Sequence, residues 1–207
     1  MQNEIKTLIF DMDGTLIDSS AVISGSINYV RSKLGLDPMQ TDVMLKAVND
    51  MDTHSPSFFY EVEDFTQDHI EWFQEYYTKN HDKEVALYDG IKDLLDELKP
   101  IYKLSLATNA YRKSALQILS HLDIEDYFEI VMCADDVKNS KPHPDMVLEI
   151  LDYTKCRADE ALMIGDSLKD REAASRAGVK TVLVDWGFSD LDDACREVEE
   201  LRELLIV

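Results

Sequence analysis

Apolar and polar residues are arranged along this chain in a pattern that predicts alternating strands and helices. Short, mostly apolar runs, typical of buried strands, lie at Ile5–Phe10, Lys103–Ala107, Ile130–Cys133, Ala161–Ile164 and Thr181–Val184. Between the last four runs, apolar residues recur every three or four positions, as they do on amphipathic helices. The last helix is expected to start near Ser189, which with Asp192 resembles a capping box. Strands that alternate with helices predict an α/β fold with a parallel sheet covered on both faces.

The segment between the first apolar run and the others has helical spacing throughout. The spacing predicts one helix that ends near Leu34, and an aromatic stripe at Phe65–Tyr77 predicts another. An all-helical segment that interrupts an α/β pattern is best interpreted as an inserted cap. We therefore expect a core domain formed by residues 1–16 and 85–207 and a small helical cap domain formed by residues 17–84.

Composition and charge indicate the cellular compartment of the protein and exclude some classes of binding partner. The chain has 207 residues, with 42 acidic and 21 basic side chains and a formal net charge of -21. Such a surface repels nucleic acid and anionic membranes. The three scattered cysteines have no metal-binding spacing, the first residues lack a signal-peptide pattern, and no apolar run is long enough to cross a membrane. We expect a cytoplasmic protein without nucleic-acid or membrane partners, and its oligomeric state stays open.

Polar residues follow three of the predicted strands at the point where each strand ends. A further polar candidate, Lys141, lies in the loop after the strand at Ile130–Cys133. The carboxyl ends of parallel strands meet at one edge of a sheet, which is where open α/β sheets hold their ligands. The residues expected at this edge are Asp11 and Asp13, Thr108 and Asn109, and Asp166, Ser167 and Asp170.

These side chains together predict phosphate chemistry. Two carboxylates as close as Asp11 and Asp13 repel each other unless a cation or a shared proton stabilises them. Asp11 and Asp166 can share a magnesium ion, while Lys141 and the Thr108 hydroxyl can bind a phosphate group. One carboxylate can then attack phosphorus to give an aspartyl-phosphate, and a second can transfer the protons.

Each of these motifs also has a purely structural explanation. Asp11 to Thr15 is an acceptable turn sequence, and it is a poor calcium loop because apolar residues at 21–23 stand where further ligands are needed. Asp166 and Ser167 could cap a helix, and Lys141 could lie in a solvated loop. Only their joint occurrence favours an active site. A receiver-type phospho-accepting module and a protein of the same fold that only binds a partner are the alternatives from other functional classes.

The motifs resemble those of the haloacid dehalogenase superfamily, in the family's order and across the whole chain. They are Asp11-Met12-Asp13-Gly14-Thr15, Thr108-Asn109, Lys141-Pro142 and Gly165-Asp166-Ser167-Leu168-Lys169-Asp170. The resemblance implies a Rossmann-like, doubly wound core with an inserted helical cap. It also implies a cofactor, Mg²⁺, and a role for each residue. Asp11 would be the nucleophile and Asp13 the acid/base, with Thr108, Asn109 and Lys141 binding phosphate; Asp11, the Asp13 carbonyl and Asp166 would bind the metal, supported by Asp170.

Two residues of the first motif separate activities within this family. Asp13 argues against dehalogenase activity, and Thr15 favours a phosphatase over a mutase of the phosphoglucomutase type. The residues from Leu16 to Ser19 and the helical cap are similar to phosphoglycolate phosphatases. The resemblance therefore implies a magnesium-dependent phosphatase for a small phosphorylated metabolite. A phosphomutase or a pyrophosphatase of the same superfamily is the alternative.

Overall fold

The computed structural model describes residues 4–187 and 191–206 of the chain. Its strands are β1 (Thr7–Phe10), β2 (Ile17–Asp18), β3 (Ala86–Leu87), β4 (Lys103–Ala107), β5 (Ile130–Met132), β6 (Ala161–Gly165) and β7 (Lys180–Leu183). Its α-helices are α1 (Ser20–Lys33), α2 (Thr41–Asn49), α3 (Ser55–Tyr60), α4 (Gln67–Glu84), α5 (Ile91–Leu98), α6 (Arg112–His121), α7 (Asp145–Thr154), α8 (Leu168–Arg176) and α9 (Val198–Leu205).

Five of the strands form one parallel sheet in the order β5-β4-β1-β6-β7. Strand β1 lies at its centre, hydrogen-bonded to β4 on one side and to β6 on the other, and its four residues are fully buried. The chain thus crosses to one side of β1 and later to the other, which creates a topological switch point at the carboxyl end of β1. The predicted α/β, Rossmann-like fold with a parallel sheet is confirmed.

The chain forms two compact units, Met1–Ile17 with Leu87–Val207 and Asp18–Ala86. In the first unit, helices α7 and α8 pack on one face of the sheet. Buried apolar side chains from both helices and from the strands fill this interface, among them Ile9, Met146, Ile150, Met163 and Ala173.

The second unit is a helical bundle built around α1 and α4. Gly25 permits their close approach, since a Cβ at this position would lie 2.5 Å from the Tyr76 ring. A small core forms between α1, α2 and α3, and its buried residues include Ile27, Val30, Met44 and Phe59. The short strands β2 and β3, which pair at the two points where the chain passes between the units, were not predicted.

The start of the last helix was predicted wrongly. Ser189 lies outside the described residues, and the segment containing Asp192 forms turns instead of a helix. Cys195 instead bridges to Val184, with the Cys195 amide donating to the Leu183 carbonyl at 2.9 Å, and α9 begins at Val198. Backbone pairing beyond β7 therefore overrides the local capping pattern. None of the described helices is both long and apolar enough to cross a membrane.

Candidate active site

The turn after β1 holds the first two carboxylates. The Asp11 amide donates to the Ile164 carbonyl at 2.8 Å, so pairing with β6 continues one residue past the strand. The chain then closes tightly: Leu16 N–H donates to the Met12 carbonyl at 2.9 Å, and Gly14 adopts a φ of 81°. Asp11 is buried and Asp13 is half-buried. Gly14 permits the left-handed backbone conformation of the turn that holds the two carboxylates at this point.

Lys141 reaches the same point from the loop that precedes α7. Its Nζ donates to Asp11 Oδ1 at 2.5 Å, to Asp170 Oδ1 at 2.6 Å and to the Ala107 carbonyl at 2.7 Å. An ammonium group has three N–H donors, and here all three are used. Burial lowers the pKa of the Lys141 ammonium, but the Asp11 and Asp170 carboxylates raise it more, and the net effect is an increase. Lys141 is therefore a buried cation that binds two carboxylates.

Asp11 has a strongly perturbed carboxyl group. Burial raises its pKa to about 7; the Lys141 ammonium opposes this shift and the Asp170 charge adds to it. One ammonium shared between two buried carboxylates does not fully offset their desolvation and mutual repulsion. Further positive charge beside Asp11 would therefore stabilise its ionised carboxylate.

Three buried carboxylates meet at the carboxyl edge of the sheet. Oxygen atoms of Asp11, Asp166 and Asp170 lie within 4.8 Å of one another. Hard carboxylate oxygens are the ligands that Mg²⁺ prefers, so this donor set fits a divalent cation. The predicted metal ligands Asp11 and Asp166 are brought together here. The Asp13 side chain is not part of this group, and its predicted contact uses the backbone carbonyl.

Asp170 belongs to this cluster of three carboxylates, although we expected it only to support the metal site. Its Oδ2 accepts from the Ser167 hydroxyl at 2.6 Å and from the Ser167 amide at 3.1 Å, while its Oδ1 accepts from Lys141. Both carboxylate oxygens thus already bind protein donors. Gly165 makes room for this arrangement, because a Cβ there would lie 2.5 Å from the Asp170 side chain.

Asn109 ties the Lys141 loop to the end of β4. Its Nδ2 donates to the Lys141 carbonyl at 2.9 Å, and its Oδ1 accepts from the Lys141 amide at 3.0 Å. Thr108 is buried beside it, and its Oγ1 accepts from the Ala110 amide at 3.0 Å, which leaves the hydroxyl its own hydrogen to donate. The predicted phosphate-binding roles of these residues stay predictions, but the Asn109 side chain is already engaged with Lys141.

Comparison with known proteins identifies the family. The model of the family described as haloacid dehalogenase-like hydrolase matches residues 8–184. The chain belongs to the haloacid dehalogenase-like hydrolase family. This assignment confirms the predicted superfamily and excludes the receiver-type alternative.

Several proteins similar to this haloacid dehalogenase-like hydrolase are named as phosphatases or pyrophosphatases. The chain is 30% identical to the phosphoglycolate phosphatase of Aquifex aeolicus, over 91% of this chain and 88% of the relative. It is also 30% identical to the pyrophosphatase PpaX of Bacillus pumilus, over 90% of this chain and 86% of the relative. A crystal structure described as a predicted phosphatase from Clostridium acetobutylicum superposes with a TM-score of 0.86 and 25% identity, over 99% of both chains. The predicted phosphatase class is confirmed at this level.

Gly14 allows a sharp test of the haloacid dehalogenase-like site. A Cβ at Gly14 would lie 2.2 Å from Asp166 Oδ2. We expect Gly14→Ala to lower turnover by about 10²-fold, the effect of a displacement of roughly 1 Å in an active site. Gly35→Ala is the matched control, because Gly35 also has a positive φ, of 73°, but no atom lies within 4 Å of its added Cβ. The prediction is met if the two variants have similar melting temperatures and only Gly14→Ala loses turnover. Equal turnover of the two variants would contradict it.

Proposed function

We propose that this protein is a magnesium-dependent phosphatase that hydrolyses a small phosphomonoester through an aspartyl-phosphate on Asp11. The observation that carries the proposal is the buried Asp11 carboxylate at the carboxyl end of β1, bonded to Lys141 and grouped with Asp166 and Asp170. A nucleophilic carboxylate that must approach a phosphate dianion needs positive charge beside it. Lys141 supplies one such charge, and a cation held by the three carboxylates would supply more.

In the first step, a carboxylate oxygen of Asp11 attacks phosphorus and the bond to the ester oxygen breaks. The Asp13 carboxyl group gives its proton to the leaving oxygen. Lys141 offsets part of the negative charge that accumulates around Asp11, and the Thr108 hydroxyl can donate to a phosphate oxygen. The products of this step are the free alcohol and the aspartyl-phosphate.

In the second step, the Asp13 carboxylate takes a proton from water, and the water oxygen attacks the phosphorus of the aspartyl-phosphate. The bond between phosphorus and the Asp11 oxygen breaks, which releases phosphate and restores the Asp11 carboxylate. Asp13 ends the cycle protonated, as it began. One residue thus acts first as acid and then as base.

The cluster of the Asp11, Asp166 and Asp170 carboxylates supports Mg²⁺ as the cofactor. Asp11 and Asp166 would hold the ion, together with the Asp13 carbonyl that the family resemblance implies. Asp170 fits a supporting role, because both of its oxygens already accept hydrogen bonds from Lys141 and Ser167. When bound, the ion would neutralise charge on the phosphate group.

The relatives support two substrate classes. The name of the Aquifex relative favours a phosphomonoester similar to phosphoglycolate, and the name of the Bacillus relatives favours pyrophosphate. Thr15 favours hydrolysis over a mutase reaction. A panel of phosphorylated metabolites and inorganic pyrophosphate at equal concentration distinguishes the classes by kcat/KM; turnover of pyrophosphate alone would contradict the phosphomonoester proposal.

We assign selection of the leaving group to the helical cap predicted at residues 17–84, and phosphate chemistry to the core at residues 1–16 and 85–207. The loop after α2 contains the polar residues Asp52 and Thr53; Thr53 Oγ1 donates to Asp50 at 2.5 Å. Substitutions of Asp52 or Thr53 should change the preference among esters while hydrolysis of a small aryl phosphate stays within about tenfold. Equal losses on every ester would argue against this division of roles.

A cytoplasmic location fits the three free cysteines, of which Cys133 and Cys195 are buried. The formal charge of -21 argues against nucleic-acid and anionic membrane partners. Localisation of a tagged protein by cell fractionation tests this assignment, and recovery in the membrane fraction would contradict it.

Metal removal tests the proposed function. We expect hydrolysis of a generic aryl phosphate to disappear after chelation and to return with Mg²⁺, because Asp11 and a phosphate dianion repel each other without the cation. Ca²⁺ should inhibit, since its looser coordination misplaces the nucleophile. The assay follows phenolate release after exhaustive chelation and stepwise metal addition. Full activity in the chelated protein would overturn the proposed mechanism.

A further inference from the structure

Trp186 lies at the same edge of the sheet as the proposed catalytic carboxylates, although nothing in the sequence patterns pointed to it. It follows β7 by three residues and is half-buried. Its indole Nε1–H donates to the Thr15 carbonyl at 2.9 Å, across 171 positions of sequence. The indole ring has one hydrogen-bond donor, and it donates to the turn that follows Asp11 and Asp13.

Hydrogen bonds of the neighbouring residue fix the backbone at Trp186, and the indole ring packs against an aromatic neighbour. The preceding residue, Asp185, is buried, and its carboxylate pairs with Arg196 and accepts from the Gly187 amide at 2.9 Å. The Asp185 amide also donates to the Cys195 carbonyl at 2.8 Å. The Trp186 ring packs against Tyr88, with ring centroids 6.0 Å apart. A side chain fixed in this way can restrain the group to which it donates.

The Thr15 carbonyl belongs to the turn that carries Asp13. Within this turn, Gly14 N–H donates to the Ile17 carbonyl at 2.9 Å, and Leu16 and Ile17 amides both donate to the Met12 carbonyl. The Tyr88 amide donates to the Leu16 carbonyl at 3.1 Å. Trp186 and Tyr88 therefore bond to consecutive carbonyls of the turn and contact each other, so the turn is anchored from outside at two adjacent points.

We propose that Trp186 is a positioning residue that fixes the turn at Thr15 and thereby holds Asp13 in place for proton transfer. This inference rests on the proposed function. Asp11 is fixed separately, by the bond of its amide to Ile164 and by Lys141. Loss of the Trp186 bond should consequently affect the steps that need Asp13 and spare the attack by Asp11.

The test is Trp186→Phe, studied by rapid quench with an aryl phosphate and by steady-state turnover of an alkyl phosphate. An aryl leaving group needs no proton, so the rate of phosphoenzyme formation should stay within about twofold. Phosphoenzyme decay and alkyl phosphate turnover should each fall by about three- to tenfold, the effect expected for one lost hydrogen bond. Tyr153→Phe is the control, since Tyr153 lies on α7 and is 57% exposed, and it should leave both rates unchanged.

A double mutant separates positioning from general support of the fold. In an Asp13→Asn background, Trp186→Phe should change the decay rate by less than about twofold, because the two residues act on one step. If Trp186→Phe folds poorly, site-specific replacement of Trp186 by 3-benzothienylalanine keeps the ring and removes the N–H. Equal slowing of formation and decay, or full additivity with Asp13→Asn, would overturn the inference. Absence of any phosphoenzyme in the unmodified protein would instead contradict the proposed function.

Discussion

We expect Asp11→Asn to abolish hydrolysis of every phosphate ester and to leave no covalent phosphoenzyme. An amide oxygen is a far weaker nucleophile than a carboxylate, and the substitution also removes the charge that pairs with Lys141 at 2.5 Å. The expected loss in kcat exceeds about 10⁴-fold, more than the loss of one proton-transfer group causes. Turnover of aryl phosphate, measured together with ³²P incorporation, provides the readout.

Asp152→Asn is the matched control for this change. Asp152 lies on α7 with a side chain that is 80% exposed and pairs only at the surface with Lys155. Its substitution should leave turnover unchanged. Residual activity of Asp11→Asn above about 1% of the unmodified protein, with the same metal dependence, would mean that another group attacks phosphorus.

We expect Lys141→Met to lower both stability and activity, because it leaves two buried carboxylates without their cation. Lys141 is 5% exposed, and its Nζ bonds Asp11 and Asp170. Breaking a buried ion pair from one side costs about 3 to 5 kcal/mol of unfolding free energy. Denaturant unfolding of the metal-free protein measures this loss. Turnover should fall together with it, since Asp11 and the phosphate would repel each other more strongly.

Two further variants show whether the buried charge causes this loss. Lys155→Met removes an ammonium that is 78% exposed, and surface pairs of this kind contribute only about 0 to 1 kcal/mol. Lys141→Met combined with Asp170→Asn removes one of the two repelling carboxylates and should recover part of the lost stability. If Lys141→Met is as stable as Lys155→Met, the carboxylates are not held by Lys141 in the way described above.

Much of the fold could be predicted from local patterns because the sheet is buried on both faces. The strands β1, β4 and β6 are mostly apolar, and polar residues follow the end of each. The start of the last helix could not be predicted in this way. The segment before α9 is paired with the end of β7 through Cys195 and Val184, and this pairing leaves no trace in local spacing.

The residues of the site could be predicted from the sequence, but the hydrogen bonds that connect them could not. Parallel strands bring Asp11, Thr108 and Asp166 to one edge, so their proximity follows from the strand ends alone. The bonds between Asn109 and the Lys141 backbone, and between Trp186 and the Thr15 carbonyl, join residues 32 and 171 positions apart. Such contacts depend on how loops fold over the edge of the sheet. The Thr108-Asn109 motif does not indicate that Asn109 binds the Lys141 backbone, and Trp186 belongs to none of the predicted motifs.

In the proposed mechanism, Asp11 carries the phosphoryl group and Asp13 transfers the protons. The most direct measurement is intact mass after rapid quench of Asp13→Asn with an aryl phosphate, followed by mapping of the modified residue. Attack by Asp11 should proceed, and hydrolysis should slow by about 10²- to 10⁴-fold because water lacks its base. We expect a stoichiometric burst of phenolate and a gain of one phosphoryl group on Asp11. No gain in mass, or a phosphoryl group on another residue, would contradict it.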